Sequence, residues 1–217
     1  MVEKPVKQII IADDHAVVRT GLQLILDETT DLCIYAEATN GQELIDKLRD
    51  NHFDLVILDI SMPGKDALDV LKEIKAYRKS LPVVIFTMNA DEFYAIRMIR
   101  NGASAYINKE TNPEQIIEIL RTVLSGKRYI TSRQAEMLAE MVSESEINKS
   151  ALHESLTDRE FQVMFMLASG MKKSEIAEKL SVSKNTVGNH RNNILKKMNM
   201  SSNSELTRYA IRHGIIR

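Results

Sequence analysis

A single cysteine among 217 residues, Cys33, leaves no partner for an internal disulfide. That suits a reducing compartment. Cys33 stands in a β-branched, apolar stretch, which predicts a buried structural thiol. No run approaches the roughly 20 apolar residues that cross a bilayer. The N-terminus reads directly into a strand without the pattern of a signal peptide, so the expected location is the cytoplasm. Repeats and long low-complexity tracts are also missing. Neither sign of charge is in large excess, the net being −1. The charge is unevenly spread, however. Residues 1–130 carry 16 Lys/Arg against 20 Asp/Glu, residues 131–150 carry 2 against 4, and residues 151–217 carry 11 against 6. An acidic front and a basic tail imply that only the tail meets a polyanion.

The length allows one or two domains with cores of their own. Hydrophobic content of 44% and charged content of 27% are ordinary for a soluble protein. In the first half, short apolar runs alternate with segments of helical spacing. Strands are predicted at 8–12, 32–37, 55–58, 83–87 and 104–107. Helices are predicted at 16–27 (Val17, Val18, Leu22, Ile25 and Leu26 at helical spacing), 41–50 (Leu44, Ile45 and Leu48 inward), 66–77, 91–101 and 113–125. Such alternation implies a parallel sheet with helices on both faces and right-handed crossovers. A flavodoxin-like strand order, 2-1-3-4-5, puts the switch point between strands 1 and 3.

That placement concentrates chemistry. Strand 1 ends in Asp13-Asp14 and strand 3 in Asp59, followed by the turn Met62-Pro63-Gly64. Taken alone, Asp59 serves equally well as the cap of the next helix. Taken with the pair at strand 1, three carboxylates share one crevice and repel unless a cation joins them. A hard divalent ion such as Mg²⁺ fits, since it takes one or two carboxylates, waters and a phosphate oxygen. Thr87 at the end of strand 4 and Lys109 after strand 5 add a hydroxyl and an ammonium at the same edge.

These residues, with Tyr106, resemble the receiver domain of two-component response regulators over about residues 6–126. The resemblance implies that Asp59 is the phosphoacceptor for a sensor histidine kinase. It also implies that Asp13, Asp14, Asp59 and the main-chain carbonyl of Ser61 form the Mg²⁺ site, with Asp13 acting through water. Lys109 and the ion would offset transition-state charge, Thr87 would bind the attached phosphoryl group, and Tyr106 would swing inward behind it. Ordinary core packing is the other reading of Tyr106. Ser61 and Asn89 flank the site and would tune the lifetime of the aspartyl phosphate. A phosphatase of the haloacid dehalogenase type shares the Asp, Thr, Lys and Mg²⁺. It needs a general acid two residues after the nucleophile, where this chain has Ser61, so turnover of an external ester is not expected. A regulator whose output is always on, with Asp59 idle, is a further alternative.

Residues 127–152 read as a linker with a short helix at 132–143 (Ala135, Met137, Leu138 and Met141) and a polar, mobile stretch at 143–150. The bland role for this helix is to cap the first domain. From residue 153 onward the pattern is all-α. Thr157 and Glu160 form a capping box behind the staple residue Leu156. Helices follow at 158–168, from Ser174, at 184–198 capped by Ser183, and from Asn203 or Ser204 to His213, closed by Gly214. The middle pair, joined at Ser181-Val182, reads as a helix-turn-helix. At about 100° per residue from Val187, Ile194 and Met198 fall within about 20° and mark the core face. Asn185, Asn189, Asn192 and Lys196 fall opposite, at about 140–200°. Asparagine is a poor helix former but pairs bidentately with adenine in the major groove. Lys184, Thr186, Arg191 and Lys197 flank this stripe and suit phosphates.

This half resembles the LuxR-type helix-turn-helix of the NarL/FixJ family over about residues 153–217. The resemblance rests on Leu156–Glu160, Ser174–Ala177, Thr186-Val187, His190-Arg191 and Ile194–Met198. Gly188 stands where the family usually has lysine, at a cost of about 1 kcal/mol in a helix, and a glycine there lets the backbone approach DNA. The two resemblances together imply an α/β receiver (1–126), a linker (127–152) and an all-α four-helix DNA-binding domain (153–217). They imply a transcriptional regulator rather than an enzyme, with a histidine kinase, promoter double-stranded DNA and a second copy of the chain as partners. RNA polymerase is a further candidate partner, and no membrane partner is implied. Family dimers would use Leu206, Tyr209, Ala210 and Ile211, for which intradomain packing is the alternative.

Overall fold

The computed structural model describes residues 5–88, 92–144, 152–180, 182–213 and 215–216. Asn89, Ser181, Gly214 and the polar stretch 145–150 lie outside the described residues. The chain forms two compact units, residues 1–137 and 138–217.

In the first unit, β1 (Lys7–Ala12), β2 (Leu32–Ala38), β3 (Leu55–Leu58), β4 (Val83–Thr87) and β5 (Ala105–Asn108) form one sheet in the order β2-β1-β3-β4-β5. Every pairing is parallel. The strands alternate with α1 (Ala16–Asp27), α2 (Gly41–Asp50), α3 (Ala67–Tyr77), α4 (Glu92–Arg100) and α5 (Pro113–Leu124). Because β3 and β4 are covered on both faces, all their residues are buried, whereas the edge strand β2 is partly exposed. On one face Ile9, Ile11, Ile57, Val84, Phe86 and Ile107 pack with residues of α1 and α5. By strand alternation, Ile10, Val56, Leu58, Ile85, Thr87 and Tyr106 point to the other face. Asp66, not Asp59, caps α3, its side chain accepting the Leu68 N–H at 2.9 Å. Gly64 takes φ +93° in the preceding turn, a conformation open to glycine at little cost.

Some expectations need correction. Val17 is 85% exposed, because α1 turns only Leu22 and Leu26 fully into the core. Cys33 is half-buried rather than buried, its edge strand being covered incompletely. Burial, followed by the nearby Asp54 and Asp27 carboxylates, still pushes its thiol upward. In α6 (Ser132–Glu144), Gln134 and Met137 are buried while Ala135 is exposed. The face is set by a reciprocal cap, in which Thr131 Oγ1 accepts the Gln134 N–H and Gln134 Oε1 accepts the Thr131 N–H.

The second unit holds a 3₁₀ turn at Leu152–Ser155 that the sequence pattern did not suggest, then α7 (Asp158–Ala168), α8 (Lys173–Lys179), α9 (Lys184–Lys197) and α10 (Asn203–Arg212). The capping box forms: Thr157 Oγ1 accepts the Glu160 N–H, and Glu160 Oε2 accepts the Thr157 N–H at 2.9 Å. Ser183 caps α9 through the Thr186 N–H at 3.0 Å. Helix α8 begins at Lys173, one residue before Ser174, because Glu175 reaches back to the Lys172 N–H at 2.8 Å. Helix α7 packs against α9 and α10, and α8 against α9. Among the described residues no helix is long and apolar enough to cross a membrane.

Candidate functional site

The carboxyl ends of β1 and β3 are tied together by the Asp59 N–H, which donates to Ala12 O at 2.9 Å. Asp13, beyond β1, is anchored by its own N–H on Ala38 O at 3.0 Å. Asp13 and Asp59 are each 1% exposed. Asp13, Asp14, His15 and Asp59 bring one ligand atom apiece to within 4.8 Å of one another. Lys109 arrives from beyond β5, held by its N–H on Thr87 O at 3.0 Å. Its ammonium lies 2.7 Å from Asp13 Oδ2 and 3.0 Å from Asp59 Oδ2. These contacts are ionic rather than well-angled hydrogen bonds. Asp13 Oδ2, Asp14 Oδ1 and both Asp59 oxygens are buried with no hydrogen-bond partner among the described residues. Burial pushes the Asp59 carboxyl above its ordinary range, Lys109 opposes this, and Asp13 reinforces it.

One ammonium does not balance three clustered carboxylates, their burial is costly, and a further cation among them lowers that cost. The donor set, all hard oxygens apart from the His15 imidazole, fits a metal ion of the Mg²⁺ or Ca²⁺ type. His15 was not singled out from the sequence. Its N–H donates to Asp13 Oδ1 at 2.8 Å, and its Nδ1 lies 2.9 Å from Asp14 Oδ1. Arg19 likewise donates to Asp13 O at 2.9 Å. Adjacency to the acid pair was the available signal for His15, while Arg19 had none. Thr87 is fully buried at the same edge, and Tyr106, 7% exposed, faces the same side of the sheet.

In the second unit α9 presents the stripe expected of it. Asn185, Asn189, Asn192 and Lys196 are exposed, and Val187, Ile194 and Met198 are buried. Lys184 is exposed too. Two flanking cations are engaged by neighbouring helices. Arg191 Nε donates to Asn203 Oδ1 at 2.7 Å, and Lys197 Nζ donates to Glu160 Oε2 at 2.6 Å. Burial resists ionisation of Glu160, but Lys197 together with the Thr157 N–H and hydroxyl outweighs it and holds the carboxyl below its usual range. In α10, Leu206 and Ala210 are fully buried and Ile211 is 55% exposed. His153 Nδ1 lies 2.9 Å from the Tyr209 hydroxyl.

Residues 9–121 match the family of response regulator receiver domains, and residues 154–210 match the luxR family of bacterial regulatory proteins. The chain belongs to the two-component response regulators. Over 207 residues it is 33% identical to the response regulator UvrY of Escherichia coli (strain K12), covering 95% of this chain and 94% of that one. It is 36% identical over 215 residues to the oxygen regulatory protein NreC of Staphylococcus epidermidis, covering 96% and 99%. A solved structure of RcsB from Salmonella typhimurium shares the fold, with a TM-score of 0.63 at 24% identity over 95% of this chain and 97% of that one. This response regulator therefore pairs a receiver domain with a luxR-type DNA-binding domain, and it is not an enzyme.

Proposed function

We propose that a sensor histidine kinase passes a phosphoryl group to Asp59 of this response regulator. Residues 153–217 then bind promoter double-stranded DNA as a homodimer in the cytoplasm. The observation that carries this reading is the meeting of three carboxylates and one ammonium at the carboxyl ends of the sheet. Residues 1–126 act as the phosphoacceptor domain and 127–152 as the linker.

In the transfer, an Asp59 oxygen attacks phosphorus while the P–N bond to the kinase histidine breaks and the imidazole leaves. Asp13, Asp14, Asp59 and the Ser61 carbonyl would hold Mg²⁺, which supplies positive charge against the transferring oxygens. Lys109, already 3.0 Å from Asp59, offsets the same charge. Thr87 donates its hydroxyl to the attached phosphoryl group. Tyr106, on the same face of the sheet, follows it inward. The phosphoryl group must bind one of two receiver states better than the other for this to switch the output.

On the DNA side, Asn185, Asn189 and Asn192 face base edges, Lys184, Thr186 and Lys196 meet phosphates, and Gly188 admits the backbone. Arg191 and Lys197 act differently, orienting α9 through Asn203 and Glu160. Tyr209 and the exposed Ile211 offer the dimer face. Light scattering with Mg²⁺, before and after beryllofluoride, tests the reading on the wild type and on Asp59→Asn. Wild type doubles in mass and the variant does not. An unchanged wild type, or a variant that responds equally, overturns it.

A further inference from the structure

The cleft between α2 and α3 uses none of the residues assigned a role above. It has a volume of about 290 Å³ and eight lining residues. Its floor is apolar, with Ile45, Leu48 and Ile74 exposed by only 4%, 3% and 2%. Tyr77, 66% exposed, adds an aromatic wall.

The charges at its mouth do not balance. Glu73 is the one carboxylate of the lining, and it is already engaged. Arg49 Nη2 donates to Oε1 at 3.2 Å and the Lys65 ammonium binds Oε2. Arg49 also lies 3.5 Å from Asp46. Arg78 has no carboxylate or carbonyl acceptor among the described residues. Its guanidinium carbon lies 5.8 Å from the centre of the Tyr77 ring, and Nη1 is buried without an acceptor. A desolvated guanidinium nitrogen left unpaired is unfavourable, and the guanidinium fork matches a carboxylate in two parallel bonds.

We propose that this cleft binds a small organic carboxylate, its apolar body over Ile45, Leu48 and Ile74 and its carboxylate on Arg78. An inorganic anion leaves the apolar floor unused, and a neutral hydrocarbon leaves Arg78 unpaired. The volume sits at the lower end of ligand sites, which run from about 300 to 1,000 Å³. Eight lining residues also fall well short of the roughly 20–30 per side of a protein interface. Both observations favour a compact free ligand over a docked protein.

Titrating 3-phenylpropanoate into the ¹⁵N-labelled full chain tests this. Amide resonances of residues 45–49 and 73–78 shift saturably. The neutral analogue 3-phenylpropanamide binds about tenfold more weakly or worse, as loss of a charge-assisted pair demands. Arg78→Gln loses affinity to the same degree, and Arg78→Lys, which keeps the charge, recovers part of it. Absence of saturable shifts at the cleft, equal binding of acid and amide, or wild-type affinity in Arg78→Gln overturns the proposal.

Discussion

Replacing Lys197 by methionine separates two roles for one ammonium. A lysine that neutralises a DNA phosphate contributes about 0.9 to the slope of log K against log salt concentration. A lysine committed to Glu160 contributes to stability instead. Lys197 Nζ lies 2.6 Å from Glu160 Oε2, with side-chain exposures of 39% for the lysine and 6% for the carboxylate. A hydrogen bond to a charged group is worth about 1.5–3 kcal/mol when buried. The exposure of Lys197 screens this pair and lowers the figure to about 1 kcal/mol. Glu160 keeps the Thr157 N–H at 2.9 Å and the Thr157 hydroxyl at 3.1 Å after the substitution, so no carboxylate is stranded. Lys197→Met should therefore lower the urea midpoint of α7 and α9 amide resonances and leave the salt slope of operator binding unchanged. Lys184→Met and Lys196→Met, both at exposed positions without an ion pair among the described residues, should do the reverse, each removing about 0.9 from the slope. Fluorescence anisotropy on a labelled duplex across a salt series reads the slope. A Lys197→Met variant that loses as much slope as Lys196→Met, with an unchanged urea midpoint, refutes the assignment.

Three further outcomes follow from the same geometry. A Cβ built on Gly188 meets nothing within 4 Å, so Gly188→Ala should stabilise the DNA-binding domain by up to about 1 kcal/mol in urea unfolding, and a loss would contradict the open space. Lys109→Met leaves Asp13 and Asp59 buried without their shared cation and should cost the receiver about 3 kcal/mol. Mg²⁺ titration in the same unfolding assay should restore part of this, and a variant as stable as wild type would argue against the ionic cluster. In α2, the Lys47 hydrogen bond, aided by the Thr39 N–H and hydroxyl, holds Glu43 at about 2. A lowered folded value means that its stabilisation is complete above the ordinary glutamate pKa of about 4.3 and is lost as pH falls through the lowered value. Acid titration of receiver unfolding should show this decline, and Glu43→Gln should flatten it.

Asp59 and the pair Asp13-Asp14 could be located from sequence because each directly follows a short apolar run. The alternation of strands and helices then brings the ends of β1 and β3 together without any knowledge of side-chain contacts. The competing role of Asp59 as a cap could not be dismissed from its own stretch, since Asp66 has the same chemistry and lies in the same loop. Side-chain partners were less legible. Arg191 and Lys197 have long, flexible stems, and what they reach depends on α10 and α7, which helical spacing within α9 does not encode. Val17 and Ala135 show the same limit from the apolar side. Each is apolar, but each lies about 140–180° around its helix from a residue that is buried, Leu22 and Leu26 in one case and Met137 in the other. The Leu152–Ser155 turn has no apolar period of its own, being held by Tyr209, 56 positions later in the chain.

That turn has a mechanical consequence. His153 is fastened to Tyr209 of α10 at 2.9 Å, its ring rests 5.9 Å from that of Phe161 in α7, and the Tyr209 ring stacks 4.2 Å from that of His213. The chain thus enters the DNA-binding half as a rope tied to a cleat, and the cleat is α10. Tension arriving through the segment before Leu152 is delivered to α10 and the foot of α7. Because α9 packs on α7 and is bonded through Lys197 to Glu160 and through Arg191 to Asn203, such a load is shared with α9 at once.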